Sequence, residues 1–151
     1  RALLAEETPR GGHLCVYTHD GRVEHWNMAR SSTANLLVDA ILAGHERVTN
    51  AVSRDLNLKG MGTTVVAAVH PGNSRVLIIC HVGDSRAYLF RGNSFEQLTR
   101  DHTYLNDLID IGLLTPEKAK NHPERNIITR CVGMGDVLQI DFNPARSTPV
   151  M

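Results

Sequence analysis

The sequence predicts an α+β fold built from a long helix, an antiparallel sheet and a small helical insertion. Three observations support this class. Apolar residues recur at helical spacing between residues 34 and 52. The segment 75–82 is almost continuously apolar, which is typical of a strand buried on both faces. Short β-branched segments alternate with glycine and asparagine turns between residues 62 and 98, which indicates an antiparallel meander.

The first predicted elements are a strand over residues 14–18 and a long helix. Ser32 or Thr33 can cap the helix, because a side-chain oxygen there accepts hydrogen bonds from free backbone amides. The helix is expected to end near Ser53. Its apolar face comprises Ala34, Leu37, Val38, Ile41, Leu42, Val48 and Val52.

Further strands and two short helices follow the long helix. Leu105, Leu108 and Ile109 define a short amphipathic helix stopped by Gly112. Thr115 and Pro116 begin a second one, which His122-Pro123 ends. The predicted strands are 63–70, 75–82, 86–91, 95–98, 127–132 and 137–142, with turns at 71–74 and 92–93 and a frayed tail at 144–151.

Composition excludes several classes of partner. The chain is 42% hydrophobic, with 16 basic and 16 acidic residues, so it has no broad attraction for nucleic acid or an anionic membrane. No apolar stretch approaches the about 18 residues of a membrane helix, and residues 1–12 lack the apolar core of a signal peptide. Cys15, Cys80 and Cys131 are widely spaced, which favours reduced, buried thiols and a cytoplasmic protein.

Asp84 is the strongest single candidate for a functional residue. It follows Gly83 in a turn between two apolar segments. A carboxylate there is costly to bury unless it is hydrogen-bonded, paired or bound to a cation. Three readings stay open: Asp84 caps its own turn, pairs with Arg86, or binds a metal ion.

Several motifs occur together and in order along the chain. They are GMGTT at 60–64, VGDSRAYL at 82–89, LTRDH at 98–102, TPEKA at 115–119 and NHP at 121–123. In this combination, the segment from Gly60 to Gly133 resembles the bacterial branch of the metal-dependent serine/threonine protein phosphatases (the PPM, or type 2C, family). The resemblance covers about two-thirds of that family's domain.

The resemblance implies a fold, a chemistry and a partner. The expected fold is part of a PPM-type β-sandwich flanked by helices, with a helical flap at about 99–130. The family holds two Mn²⁺ or Mg²⁺ ions, with a third, weaker site in bacterial members, and hard oxygen ligands suit these ions. A metal-bridging water attacks phosphorus in line. The partner would be a phosphorylated protein, the product of a serine/threonine kinase.

The resemblance also assigns candidate metal ligands. Asp84 matches the aspartate that helps to bind the third metal. Asp20 matches the aspartate that bridges both metals, and the carbonyl of Gly21 would ligate one of them. Glu6 lies about where an acidic element of the family is expected.

Further residues are expected near the cleft, without an assigned catalytic role. His25 falls in register with a histidine of the family's DGxGGH motif. Ser85 and Arg86 follow Asp84 directly and are expected beside the cleft.

Two departures from the family pattern favour a second hypothesis. Arg22, Val23 and Glu24 stand where the family has glycines that let the backbone approach metals and phosphate. The SDGL and DN motifs, each of which supplies an aspartate, do not follow Gly133; Asp136 and Asp141 lie in a different context. We therefore expect residues 1–151 to form one C-terminally incomplete phosphatase domain. The alternative is an impaired pseudophosphatase that binds phosphoproteins.

Two other chemistries are disfavoured by spacing. The eight histidines show no compact zinc-ligand pattern such as HxxxH. Ser85 lies in GDSRA, which is not the GxSxG turn of a nucleophilic serine.

Overall fold

The computed structural model describes residues 13–17, 23–27, 32–70 and 76–146, with side chains described within 34–70 and 77–143. The first elements are strands β1 (His13–Tyr17) and β2 (Val23–Asn27), helix α1 (Ser32–Arg54) and a 3₁₀ turn (Leu56–Leu58). Then come β3 (Val65–Val69), β4 (Val76–Val82), β5 (Tyr88–Arg91), β6 (Ser94–Gln97), α2 (Tyr104–Asp110), α3 (Pro116–Ala119) and β7 (Asp141–Arg146).

Strand β4 is the centre of the fold. It pairs antiparallel with β3 on one side and with β7 on the other. The strands β1 and β2 form a separate hairpin whose first strand contacts β7, and β5 pairs with β6. The α+β class is therefore confirmed.

The side chains of β4 alternate between two apolar layers, as the pleat of a strand requires. Ile78, Cys80 and Val82 face helix α1, which contributes Ala34, Val38 and Ile41, and Val132 and Phe142 complete this layer. Ile79 faces the opposite way and packs with Leu98, next to Ala87 and Leu89 beside the β5–β6 hairpin. The prediction that this strand is buried on both faces is confirmed.

Helix α1 closely matches its prediction. It ends at Arg54, one residue from the expected end, and three predicted core positions, Ala34, Val38 and Ile41, are buried. Leu42 is more than one-third exposed, so the apolar face is narrower than predicted. Ser32 is already helical rather than a residue before the helix.

The prediction of one continuous meander from 62 to 98 is wrong. β4 leaves its sheet at Gly83, and its second edge is occupied by β7 rather than β5. The backbone of Gly83 has φ +101°, which redirects the chain at this point. The hairpin turn predicted at 71–74 lies outside the described residues, but β3 and β4 pair as it requires.

The last two strand predictions are also wrong. Residues 127–132 form only isolated bridges, Thr103 with Ile128 and Thr63 with Val132. The final strand is Asp141–Arg146, so it begins four residues later than the predicted 137–142 and includes part of the predicted frayed tail. A strand needs a neighbouring edge, and the register with β4 begins only at Asp141.

The two short helices form as predicted. Helix α2 is capped by Thr103, whose side chain accepts a hydrogen bond from the Asn106 amide. Helix α3 begins at Pro116 after Thr115, although the Thr115 side chain makes no capping hydrogen bond. None of the described helices combines the length and apolar character needed to cross a bilayer.

The candidate metal turn and the buried histidines behind it

The turn that carries Asp84 is shaped by glycine. A Cβ atom on Gly83 would lie 2.3 Å from Cγ2 of Thr64, and the φ of +101° is itself unfavourable for other residues. Asp84 is itself half-buried in this turn, and its carboxylate has no hydrogen-bond or ion-pair partner among the described residues. A half-buried, uncompensated carboxylate has lost hydration, so it is suited to bind a cation.

The GMGTT and GDSR motifs form one structural unit. The hydroxyl of Thr64 lies 2.6 Å from that of Ser85, a hydrogen bond between residues 21 positions apart. The same Thr64 packs against Gly83. Ser85 is thus held by its hydroxyl beside Asp84, and its position near a cleft stays a prediction.

Arg86 does not pair with Asp84. Its Nε and Nη2 donate to both oxygens of Asp101 at 2.6–2.9 Å, and Nη1 donates to the Tyr88 hydroxyl at 3.3 Å. The hydrogen bonds to Asp101, followed by the one to Tyr88, raise the pKa of Arg86. The reading in which Arg86 neutralises Asp84 is therefore wrong, and Asp84 keeps its charge available.

The loop that precedes Thr64 is fixed by close backbone contact. A Cβ on Gly62 would lie 2.9 Å from Sγ of Cys131 and 3.0 Å from the carbonyl oxygen of Val132. Thr63 exchanges two backbone hydrogen bonds with Val132, at 3.0 and 2.8 Å. Only a residue without a side chain fits this approach, which explains the glycine of the motif.

A buried polar cluster lies behind the Asp84 turn, on the face of the sheet opposite α1. It contains His81 of β4, His102 of the LTRDH motif, Asp141 of β7 and Arg130. The two imidazole rings stack with centroids 4.7 Å apart and 18° between their planes. Asp141 lies 3.1 Å from Nε2 of His102 and 3.0 Å from Nη1 of Arg130.

Charge and burial set the protonation of this cluster. Burial lowers the pKa of His81 and outweighs the raising effect of its hydrogen bond to the Arg100 carbonyl, at 2.8 Å. Burial also acts to raise the pKa of Asp141, but the hydrogen bond from His102 and the positive charge of Arg130 together lower it below its ordinary value. Asp141 is therefore ionised and His81 neutral near pH 7.

His81, His102 and Asp141 have the residue types of a metal site, and one ligand atom from each lies within 4.8 Å of the others. Imidazole binds metals in the plane of its ring, and two nearly parallel, stacked rings cannot both direct a lone pair at one ion. The guanidinium of Arg130 already supplies positive charge to Asp141. The cluster is thus a poor metal site.

The sequence-predicted site is only partly visible. Asp84, Ser85 and Arg86 lie together in the turn, as expected. Glu6, Asp20 and Gly21 lie outside the described residues, and their metal-binding role stays a prediction. His25 lies in β2 opposite Cys15, with its side chain outside the described part.

Sequence reasoning assigned no role to the cluster around His102. His102 was part of the LTRDH motif, whereas Asp141 was set aside as lying in a different context. The available signal was a polar residue interrupting an apolar segment, as His81 does between Cys80 and Val82. Which polar residues meet depends on the β4–β7 pairing, which places His81 opposite Asp141.

Comparison with known proteins agrees with this fold. Serine/threonine phosphatase Stp1 from Staphylococcus aureus superposes over 78% of this chain with a TM-score of 0.70 and 35% identity. The family described as Protein phosphatase 2C matches residues 16–107. The fold is that of bacterial serine/threonine phosphatases, and the chain belongs to the protein phosphatase 2C family.

Two further relatives define the extent of the match. Protein phosphatase PhpP of Streptococcus pneumoniae is 44% identical over 91 residues, which is 60% of this chain and 36% of PhpP. The catalytic domain of PstP, solved in complex with two manganese ions, superposes with a TM-score of 0.53 at 34% identity, over 69% of this chain and 42% of that one. The chain also spans only 45% of Stp1.

Proposed function

We propose that this chain is part of a domain that hydrolyses phosphoserine and phosphothreonine in proteins, using Mn²⁺ or Mg²⁺. The observation that carries this proposal is the half-buried carboxylate of Asp84 on a glycine turn, which has no partner among the described residues. We further propose that residues 1–151 belong to one phosphatase domain with its flap at about 99–130.

The donor set expected of the chain fits hard divalent ions. Asp84 offers carboxylate oxygens, and the resemblance adds Asp20, the carbonyl of Gly21 and Glu6, all of them oxygen ligands. When bound, such ions supply an activated water and neutralise charge developing on the phosphoryl oxygens. Among the described residues, Gly83 and Thr64 hold Asp84 in place.

An open groove beside the turn supports a phosphoprotein substrate. It has a volume of about 630 Å³ and lies between the β5–β6 hairpin and the two flap helices. Arg86 and Arg100 line it but are paired with Asp101 and Asp110. Lys120 and Arg125 also line it, and their side chains have no ion-pair partner among the described residues. Such cations attract a phosphorylated segment.

The phosphoprotein would be the product of a serine/threonine kinase. We place the protein in the cytoplasm, because Cys80 and Cys131 are both free thiols.

A second candidate function is phosphoprotein binding without turnover. It is favoured by Val23 and Glu24, which stand where the family has glycines. Both residues are extended in strand β2, paired with Tyr17 and Val16. A regular strand with side chains at these positions offers less room for metals and phosphate than a glycine turn.

The test is hydrolysis of p-nitrophenyl phosphate and of a phosphothreonine peptide in millimolar Mn²⁺, with and without a chelator. We expect chelator-sensitive turnover that Asp20→Asn abolishes and that Asp84→Asn lowers at limiting Mn²⁺. Asp136→Asn removes an exposed carboxylate outside the proposed site and is the matched control. A folded sample that binds the peptide but has no turnover would establish the second candidate instead.

A further inference from the structure

We propose that His102 is a positioning residue for the Asp84 turn: its neutral ring, protonated on Nε2, fixes Gly83, and Asp141 with Arg130 holds that protonation pattern. The inference rests on the proposed role of Asp84 in metal binding. His102 does not touch Asp84 itself. It acts through the neighbouring residue, whose backbone sets the direction in which the Asp84 side chain leaves the sheet.

Gly83 is held by His102 from two sides. The Gly83 amide donates to Nδ1 of the ring at 3.0 Å, and the Gly83 carbonyl accepts from the His102 amide at 3.0 Å. The ring is only 4% exposed, so water does not compete effectively for these bonds. One residue therefore fixes both polar groups of the glycine that precedes Asp84.

These contacts determine the tautomer of His102. Nδ1 accepts a hydrogen bond from an amide, so it carries no proton. The proton is then on Nε2, which donates to Asp141 at 3.1 Å. The opposite tautomer would place an N–H against the Gly83 amide and a lone pair against the carboxylate, and would lose both hydrogen bonds.

Arg130 keeps Asp141 in this role. Its Nη1 lies 3.4 Å from Nε2 of His102, but both groups are donors, so this contact is not a hydrogen bond. The same Nη1 donates to the other oxygen of Asp141 at 3.0 Å. Arg130 thus neutralises the carboxylate without competing for the lone pair of His102.

His102 also joins the flap to the turn. Its carbonyl accepts from the amide of Thr129 at 2.9 Å, next to Arg130. Thr103 and Ile128 form an adjacent β-bridge. The returning end of the flap and the turn of Asp84 are therefore fastened to the same residue.

Two variants separate the effect of the hydrogen bond at Nδ1 of His102 from the effect of the one at Nε2. In His102→Asn, the amide oxygen can take the place of Nδ1 and still accept from Gly83. In His102→Gln, the amide nitrogen can take the place of Nε2 and still donate to Asp141. Both are neutral, and urea unfolding of each variant identifies a general loss of stability.

The measurements are nuclear magnetic resonance of the ¹⁵N-labelled chain and titration with Mn²⁺. We expect ring nitrogen shifts of the Nε2–H tautomer in the parent chain. Loss of the Gly83 bond in His102→Gln is expected to lower both the exchange protection of the Gly83 amide and the affinity for Mn²⁺ by roughly tenfold, as for one buried hydrogen bond. His102→Asn is expected to stay closer to the parent in both.

The contrary outcomes are distinct. An Nδ1–H tautomer in the parent, or equal effects of both variants on Gly83, would overturn the positioning role. If Asp84→Asn leaves Mn²⁺ binding unchanged, the proposed metal role of Asp84 fails, and the tautomer and the Gly83 protection still decide whether His102 fixes the turn. If a variant does not fold, the tautomer of the parent chain is the deciding result.

Discussion

At the scale of single residues, position 83 has a strict requirement for glycine. We expect Gly83→Ala to destabilise the fold by roughly 2–5 kcal/mol, because it adds the cost of a positive φ to an overlap with Thr64. Gly92→Ala is the matched control, since Gly92 also has a positive φ, +56°, but nothing within 4 Å of its Cβ position. That variant should cost only about 1–2 kcal/mol.

Urea unfolding followed by circular dichroism measures both changes. Similar losses in the two variants would mean that the contact with Thr64 relaxes easily, and that the turn is less rigid than described.

His81 provides a second prediction at this scale, through pH. Burial lowers its pKa in the folded chain. Below an ordinary histidine pKa of about 6.5, the unfolded chain therefore binds a proton at this position that the folded chain does not. The free energy of unfolding should fall as pH drops below about 6.5, until the lowered folded pKa is reached.

The measurement is urea unfolding of the parent, His81→Gln and His70→Gln between pH 5 and 7.5. Glutamine can still donate to the Arg100 carbonyl but does not titrate, so the pH dependence should be weaker in His81→Gln. His70 is exposed, so His70→Gln is the matched control that also removes one histidine. An unchanged slope in His81→Gln would contradict the assignment.

At the scale of elements, the flap is predicted to bind the phosphorylated partner. Replacing Lys120 and Arg125 by alanine should weaken binding of a phosphothreonine peptide by roughly 2- to 30-fold, since each exposed charge contributes about 0.2–1 kcal/mol. Lys118→Ala is the control, because Lys118 lies in α3, two residues before Lys120, but does not line the groove.

Fluorescence anisotropy at low and moderate salt gives the affinities, and the loss should shrink as salt screens the charges. If the double variant and Lys118→Ala weaken binding equally, the groove has no special role.

The elements differ in how far the sequence could define them. Helix α1 was predicted to within a residue or two because its apolar period is local, although the predicted caps Ser32 and Thr33 lie inside the helix. Strand β7 was predicted four residues too early, because its start is set by pairing with β4 rather than by its own residues. The prediction of a continuous meander was wrong for the same reason, since the second edge of β4 is paired with β7 rather than β5.

At the scale of the whole molecule, metal binding should raise stability. At tenfold excess over its dissociation constant, a ligand of the folded state adds about 1.4 kcal/mol. For a domain of this size the melting temperature would rise by roughly 3–6 °C. Differential scanning calorimetry with Mn²⁺ tests this, and the rise should be smaller in Asp84→Asn than in Asp136→Asn.

If the parent and Asp84→Asn gain equally from Mn²⁺, the ion binds elsewhere on the chain, and the described turn is not its site.

The site could be predicted from the sequence only where its functional residues are contiguous in the chain. Asp84 and its glycine could be found from a motif. The pairing of Arg86 with Asp101, and of His102 with Asp141, could not, because these partners are 15 and 39 positions apart and meet only through the packing of the sheet against the flap. Of the three readings of Asp84, the packing excludes the pair with Arg86, which binds Asp101 instead, and metal binding stays a prediction.

The position of Cys80 has a practical consequence. This thiol is fully buried in the central strand, between β3 and β7, and burial raises its pKa to about 12. Alkylating reagents react with a solvent-exposed thiolate, so they can modify Cys80 only after helix α1 has moved away from this face of the sheet. The rate of its alkylation therefore reports how often the apolar layer between α1 and the sheet opens, while the partly exposed Cys131 reacts without such an opening.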